Sequence, residues 1–321
     1  MAQVTGDRDR SGRRLSALAR TDRARGVVCV LGGALCWGLS GTCIEYLTQD
    51  LGMAVAWATS LRMSFSAIVL VGLCLALRRD ELTRLVRDRR SWRDLVLYGV
   101  FGCFGCQVTY MMTIANSNAG VGTLIEQLGL VIVMVHACIV GRRGPRMREV
   151  LAVILAIGGL FFICTHGDPT TLAISGAGLG WGLASMVTMA LYVLLPARLM
   201  KRWSGLSVTA VCITIGAVAS VATLRPWEHP LELSAMAVVA VLVTVVFGVV
   251  LAYLLFLQGV RSAGPMVASL LDCMEPVSAM VFSAVLLGTL VTGYDLVGAA
   301  LIVMMMVTVA LPDKRIREAE R

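Results

Sequence analysis

The sequence predicts an all-α integral membrane protein with ten transmembrane helices, arranged as two inverted five-helix repeats with both termini in the cytoplasm. Three observations support this prediction: an apolar composition, ten long apolar runs and a one-sided distribution of positive charge. Of the 321 residues, 58% are apolar and 15% are charged, whereas a soluble domain carries roughly 25% charged residues. This composition argues against a soluble enzyme, a disordered protein and a secreted disulfide scaffold.

Ten runs are long enough to cross a bilayer, which requires roughly 20 mostly apolar residues. The connections between them are short and leave no room for a domain outside the membrane. The ten cysteines lie inside or at the edges of the runs, which favours helix packing over disulfide or metal chemistry. In chain order the predicted spans are 27–46, 53–77, 95–114, 119–140, 147–164, 175–197, 206–224, 233–257, 265–287 and 294–311.

Positively charged segments separate the spans in alternation and predict their orientation. Of the 28 Lys and Arg residues, 26 lie on the side of the N-terminus, one lies in an opposite loop as Arg225, and Arg62 lies inside the second span. Because cytoplasmic loops are enriched in Lys and Arg, both termini are predicted to be cytoplasmic. The basic charge then orients helices and is compatible with anionic lipid headgroups, and we expect no nucleic-acid partner.

The two halves of the chain resemble each other in sequence. Residues 121–130 of the fourth span and 267–276 of the ninth align at a constant offset of 146, and this pairs Glu126 with Asp272. The predicted organisation is a flexible or surface-lying tail at 1–25, repeats at 26–165 and 174–311, and a second cytoplasmic tail at 312–321. Five helices per repeat require the second copy to be inverted, an arrangement that is typical of secondary transporters.

Several motifs in this order resemble the drug/metabolite transporter superfamily, EamA type. They are Trp37-Gly-Leu-Ser in the first span, Leu61-Arg62 in the second, the small-x-x-x-acid runs of the fourth and ninth, Glu275-Pro276, and the turn at Gly288. The resemblance covers about residues 26–311. It implies a ten-helix exporter of small metabolites, with a central cavity lined by helices of both repeats.

Two positions depart from the pattern of that superfamily. Gly129-Leu130 stand where a proline is frequent, which predicts a straighter fourth helix and puts strict equivalence of the halves in doubt. Thr289 stands where a glutamate usually follows the Gly288 turn, so a common loop charge is absent.

Four ionisable residues lie well inside predicted spans, where each costs at least a few kcal/mol unless it faces a cavity or a partner. Arg62 lies about 14 Å into the second span and Glu126 about 10 Å into the fourth, while Asp272 and Glu275 share a face of the ninth. One cation cannot neutralise three carboxylates. At least one acid is therefore protonated, faces water or meets a cationic substrate group.

We hypothesise that Glu126 or Glu275 exchanges a proton for substrate, because removal from water favours the neutral form of a carboxylic acid. The structural alternative is that Arg62 pairs with one carboxylate and holds helices together. Pro276 predicts a kink beside these acids, since it removes the helical donor of the Asp272 carbonyl. Further substrate candidates are aromatic or amide residues inside the spans: Trp37, Tyr110, Gln127, Tyr192 and Tyr253.

The function favoured by these features is a secondary carrier that exports small metabolites, such as amino acids or amphipathic compounds, across the cytoplasmic membrane. The sequence contains no GxxxxGK[ST] loop for ATP, so energy would come from a gradient or from downhill flow. We expect no enzymatic activity, cofactor or metal. A non-transporting receptor or assembly subunit, an intramembrane enzyme and a channel remain alternatives, and a homodimer is left open.

Overall fold

The protein is described here by a computed structural model that covers residues 2–168, 170, 173–231 and 234–310, with the side chains of 2–21, 23, 265, 266 and 269 outside that description. Within these residues every regular element is a helix. Ten helical spans are long and apolar enough to cross a membrane: Ala24–Asp50, Val55–Arg87, Trp92–Ala115, Ala119–Val140, Met147–Thr165, Gly176–Lys201, Gly205–Glu228, Ala235–Ala263, Leu270–Leu287 and Gly293–Ala310.

The structure confirms the predicted all-α architecture and the ten spans, and it lengthens several of them. The second helix continues to Arg87 instead of ending at 77, with a non-helical residue, Arg78, between its apolar and charged parts. The first helix, Ala2–Glu45, begins well before the first span, so the described backbone of the predicted N-terminal tail is helical. The predicted tail at 312–321 lies outside the described residues.

The spans of the two halves interlock in a reciprocal pattern. The first span packs against the eighth and ninth, and its counterpart, the sixth, packs against the third and fourth. The second span packs against the seventh, and the fifth against the tenth. Each of these contacts joins one half to the other, as expected for two related five-helix units of opposite orientation.

The third and eighth spans share an interruption of the same kind. In each, a π-helical segment separates two α-helices, and Gly102 and Gly248 in these segments are again 146 residues apart. The third span consists of Trp92–Leu97, Tyr98–Phe104 and Gly105–Ala115, and the eighth of Ala235–Val245, Val246–Leu251 and Ala252–Ala263. π-Helical segments are frequently found at functional sites.

The fourth and ninth spans are also interrupted at corresponding points. The fourth divides into Ala119–Gln127 and Gly129–Val140, so the expectation of a straighter helix in the absence of proline was wrong. At Gly129, the first residue after this break, a Cβ atom would approach the Met186 carbonyl oxygen of the sixth span to 2.7 Å, so the fourth and sixth spans pack closely here. The ninth divides into Pro265–Asp272 and Met274–Leu287, shortly before Pro276.

Buried apolar side chains form three clusters between the spans. One joins the second, third and seventh spans, another joins the fourth, fifth, ninth and tenth, and the third surrounds the end of the first span. Large apolar side chains also cover the outer surface, among them Ile68, Ile139, Val218 and Val285. An apolar exterior around a packed interior is what lipid as a solvent permits.

Candidate functional site

The acidic side chains of the two halves meet where the fourth and ninth spans are interrupted. Glu126 precedes the break at Leu128, and Glu275 follows the break at Cys273. Gln127, which is 5% exposed, donates a hydrogen bond of 3.3 Å from its Nε2 atom to Oε2 of Glu275. The fourth and ninth spans are therefore joined by a polar contact in the part of the molecule that carries the acids.

The third span completes one side of this acidic cluster, which we define as Glu126, Asp272 and Glu275. The thiol of Cys106 donates a hydrogen bond of 3.1 Å to Oε1 of Glu126. One turn further along, the Tyr110 hydroxyl lies 2.9 Å from Oγ1 of Thr123 on the fourth span. Helix Gly105–Ala115 thus presents both a thiol and a phenol to the fourth span.

Arg62 faces the cluster from the second span. The residue is 9% exposed, and its Nε and Nη1 atoms have no hydrogen-bond partner among the described residues. Its charge interacts through space with Tyr110, Glu126, Cys106 and Glu275. This arrangement does not favour the alternative in which Arg62 pairs closely with a carboxylate and holds helices together. In such a pair the Nε and Nη1 atoms of Arg62 would donate hydrogen bonds, and here they have no partner among the described residues.

Other buried polar atoms near the cluster also lack partners. Oδ1 of Asp272 is one of them, as is the Ser40 hydroxyl within the described part of the chain, whereas the Ser185 hydroxyl is close enough to Glu126 to interact with it. Asp272 acts electrostatically on Glu275, which lies one turn further along the ninth span. Because buried polar groups are normally hydrogen-bonded, these atoms favour a polar ligand among the spans.

The remaining aromatic candidates have partners outside the acidic cluster. The indole N–H of Trp37 donates a hydrogen bond of 3.0 Å to the Gly248 carbonyl, and its ring lies 5.4 Å from that of Phe256. Tyr192 packs against Tyr98, with ring centroids 5.6 Å apart. The Tyr253 hydroxyl lies 3.6 Å from the position that a Cβ atom would take at Gly205. These contacts join the first span to the eighth, the sixth to the third, and the eighth to the seventh.

Sequence reasoning missed Glu45, a buried acid that is 3% exposed at the end of the first helix. Its carboxylate accepts hydrogen bonds from the Ala119 backbone N–H at 2.8 Å, the Ser283 hydroxyl at 2.6 Å and the Thr289 hydroxyl at 2.8 Å. It thereby caps the start of the fourth span, where a helix favours negative charge, and ties it to the end of the ninth.

A signal for Glu45 was present in the sequence. The residue lies close to the end of an apolar run, which suggests exposure, but Thr289 replaces the glutamate that usually follows the Gly288 turn. In the structure the Thr289 hydroxyl donates a hydrogen bond to the Glu45 carboxylate. Among the described residues, no group of three or more His, Cys, Asp or Glu side chains could hold a metal ion.

Comparison with known proteins assigns this arrangement to a family. The EamA-like transporter family matches residues 24–165 and 176–311, one match in each half of the chain. The chain belongs to the EamA-like transporter family. It is therefore a multi-pass membrane transporter, and its two family matches cover the spans whose reciprocal packing is described above.

Two relatives match most of the chain. The uncharacterized inner membrane transporter YicL of Salmonella typhimurium is 30% identical over 291 residues, which are 91% of this chain and 97% of YicL. The uncharacterized transporter YyaM of Bacillus subtilis is 26% identical over 261 residues, covering 79% of this chain and 83% of YyaM. A protein of known crystal structure has the same fold with 15% identity and a TM-score of 0.58, over 93% of this chain and 100% of that one.

Proposed function

We propose that this EamA-like transporter is a secondary carrier that exports small metabolites, such as amino acids or amphipathic compounds, across the cytoplasmic membrane by alternating access. The observation that carries the proposal is the hydrogen bond from Gln127 to Glu275. It brings acids of both halves to one point, with a buried cation, Arg62, facing them. A site between inverted repeats is where secondary transporters bind their substrate.

Proton exchange is the second part of the proposal. Three carboxylates beside one cation cannot all be charged without a cost of several kcal/mol, so the cluster has to hold a proton or a cationic group. Glu126 and Glu275 are the exchange candidates because both interact with the charge of Arg62. A substrate with an amino group would replace the proton on binding, which couples the two fluxes in opposite directions.

The Glu45 contacts supply the closed end that alternating access requires. They join the end of the first span to the start of the fourth span and to the turn after the ninth. These three elements lie on one face of the protein, opposite the face where the first span begins. Opening that face would separate these elements and break the hydrogen bonds of a buried carboxylate. We infer that Glu45 stabilises the conformation that is closed on this face.

The decisive experiment is transport in proteoliposomes. Vesicles loaded with a mixture of amino acids and related metabolites are assayed by mass spectrometry, with and without a pH gradient. We expect selective release that grows with the gradient, and its loss in Glu126→Gln and Glu275→Gln, whereas Glu228→Gln, an exposed acid outside the cluster, retains it. Gradient-dependent release that is unchanged in both cluster variants would contradict proton exchange by these acids, and the absence of any selective release from folded protein would favour a receptor or an enzyme.

The proposed orientation has its own test. In a cysteine-free background, Arg13→Cys and Arg225→Cys introduce one thiol each on opposite faces of the predicted topology. A membrane-impermeant maleimide applied to intact cells should label only the thiol at position 225, because the N-terminus is proposed to be cytoplasmic. Labelling of position 13 alone would reverse the topology.

A further inference from the structure

A basic cavity lies at the ends of the spans, away from the acidic cluster. Its volume is about 320 Å³, and it is bounded by the loop between the second and third spans and by the end of the sixth. Its charged lining consists of Arg90, Arg198, Lys201, Arg202 and a single carboxylate, Asp94. The cavity therefore carries an excess of three positive charges and is suited to an anion.

The four cations of the basic cavity outnumber the carboxylates near them in the described part of the chain. Among the described residues, none of them forms an ion pair with a carboxylate. The nearby Asp88 accepts hydrogen bonds from the Ser91 hydroxyl at 2.7 Å and the Arg90 backbone N–H at 3.1 Å, and its charge also interacts with Arg202 and Arg90. Together with Asp94 it offsets part of the positive charge, so an excess of about two charges remains. The guanidinium and ammonium groups are left to bind an external partner.

The floor of the basic cavity is fixed by packing. Ser91, at 4% exposure, and Leu199 are buried, and both line the cavity. The indole N–H of Trp203 donates a hydrogen bond of 3.4 Å to the Ser91 hydroxyl. This contact joins the loop between the second and third spans to the loop between the sixth and seventh, so both halves of the chain build the cavity.

Apolar side chains beside the basic cavity indicate the class of anion. Trp92, Val96 and Met200 are exposed next to the cationic lining in the sequence. Tryptophan is enriched where spans leave the hydrocarbon region, and basic residues at this depth attract anionic headgroups. A phospholipid would contact both surfaces, with its phosphate group against the cationic lining and its acyl chains against the exposed apolar side chains.

We propose that the basic cavity binds the headgroup of an anionic phospholipid through its phosphate, with Arg198 and Arg202 as the principal ligands and Arg90 and Lys201 completing the site. The headgroup bridges loops from both halves of the transporter. The proposal does not depend on substrate identity or on proton exchange, because the cavity shares no residue with the acidic cluster.

The test is lipid retention by the full chain in detergent micelles, measured by native mass spectrometry during titration with phosphatidylglycerol or phosphatidylcholine. We expect one phosphatidylglycerol to be retained with saturation and about tenfold preference over phosphatidylcholine. The double variant Arg198→Gln/Arg202→Gln should lose this preference. The matched control Arg79→Gln/Arg84→Gln removes two exposed cations near the same face that do not line the cavity, and it should retain the preference.

Three results would overturn the proposal. If both double variants lose the preference for phosphatidylglycerol equally, the preference is due to general surface charge. If both variants keep it, the lipid binds elsewhere. Inorganic phosphate and glycerol 3-phosphate are titrated in parallel, and binding as strong as that of the lipid would identify a soluble anion as the ligand. If Arg198→Gln/Arg202→Gln does not unfold at the wild-type temperature in lipid-free detergent, Arg90→Gln/Lys201→Gln replaces it with the same expected loss.

Discussion

The side-chain amide of Gln127 donates a hydrogen bond of 3.3 Å to the Oε2 atom of Glu275, across 148 residues of sequence. The contact joins the fourth and ninth spans next to the interruption in each. It leaves the second oxygen of Glu275 to other partners and places Glu126, the neighbour of Gln127, on the same helix turn. An amide is a neutral donor, so it can hold Glu275 in either protonation state of the free oxygen.

We predict that Gln127→Leu lowers transport by about tenfold while the protein stays folded. The leucine removes the donor and leaves a buried carboxyl group unsatisfied, which costs roughly 1–3 kcal/mol. The measurement is the initial rate of substrate release from proteoliposomes. Gln258→Leu is the matched control, since Gln258 is exposed and donates a hydrogen bond to the Ser262 hydroxyl, away from the acidic cluster. Equal rates in both variants would show that the Gln127 amide has no part in transport.

We predict that Glu45→Ala lowers the midpoint of thermal unfolding and Glu45→Gln lowers it less. Alanine leaves the Ala119 N–H and the hydroxyls of Ser283 and Thr289 without their acceptor, at a cost of roughly 1–3 kcal/mol for each buried group left unpaired. Glutamine keeps an acceptor oxygen. The control is Glu228→Ala, which breaks an exposed pair with Arg225 that is worth about 0–1 kcal/mol. A midpoint for Glu45→Ala as high as that of the control would refute the stabilising role.

We predict that Gly129→Ala destabilises the protein by about 1–3 kcal/mol, because its Cβ would lie 2.7 Å from the Met186 carbonyl oxygen. Gly180 lies on the same sixth-span helix as Met186, and a Cβ there meets no atom within 4 Å. Gly180→Ala should therefore raise stability slightly, by roughly 0.5–1 kcal/mol. Denaturation in detergent compares the two. If Gly129→Ala is as stable as Gly180→Ala, the fourth and sixth spans do not require this close approach.

We predict that Trp37→Phe lowers stability by about 0.5–1.5 kcal/mol and leaves the KM for substrate unchanged. Phenylalanine keeps the ring contact with Phe256 but loses the N–H that bonds to the Gly248 carbonyl. Thermal unfolding and concentration-dependent transport are measured on the same preparation. An increase in KM without loss of stability would instead make Trp37 a substrate ligand.

Some features of the acidic cluster were accessible from the sequence and others were not. The positions of Arg62, Glu126, Asp272 and Glu275 inside spans follow from hydropathy, and the alignment of 121–130 with 267–276 pairs Glu126 with Asp272. The hydrogen bond between Gln127 and Glu275 does not follow, since it depends on the angle at which two interrupted helices cross. The break at Leu128 was also missed, since no proline marks it and it lies beside a close contact of Gly129 with Met186 of another span.

The sequence by itself determined that this protein lies in a bilayer, that it has ten spans and that Arg62, Glu126, Asp272 and Glu275 lie deep inside them. These properties depend on the composition of runs of roughly 20 residues, because a charged residue inside the hydrocarbon region carries a large free-energy cost. Only the tertiary structure decided which of those side chains meet, and it showed that Glu45 is a buried acceptor rather than an exposed end of a span. Such contacts depend on small residues that set how closely helices approach, and hydropathy contains no information about that distance.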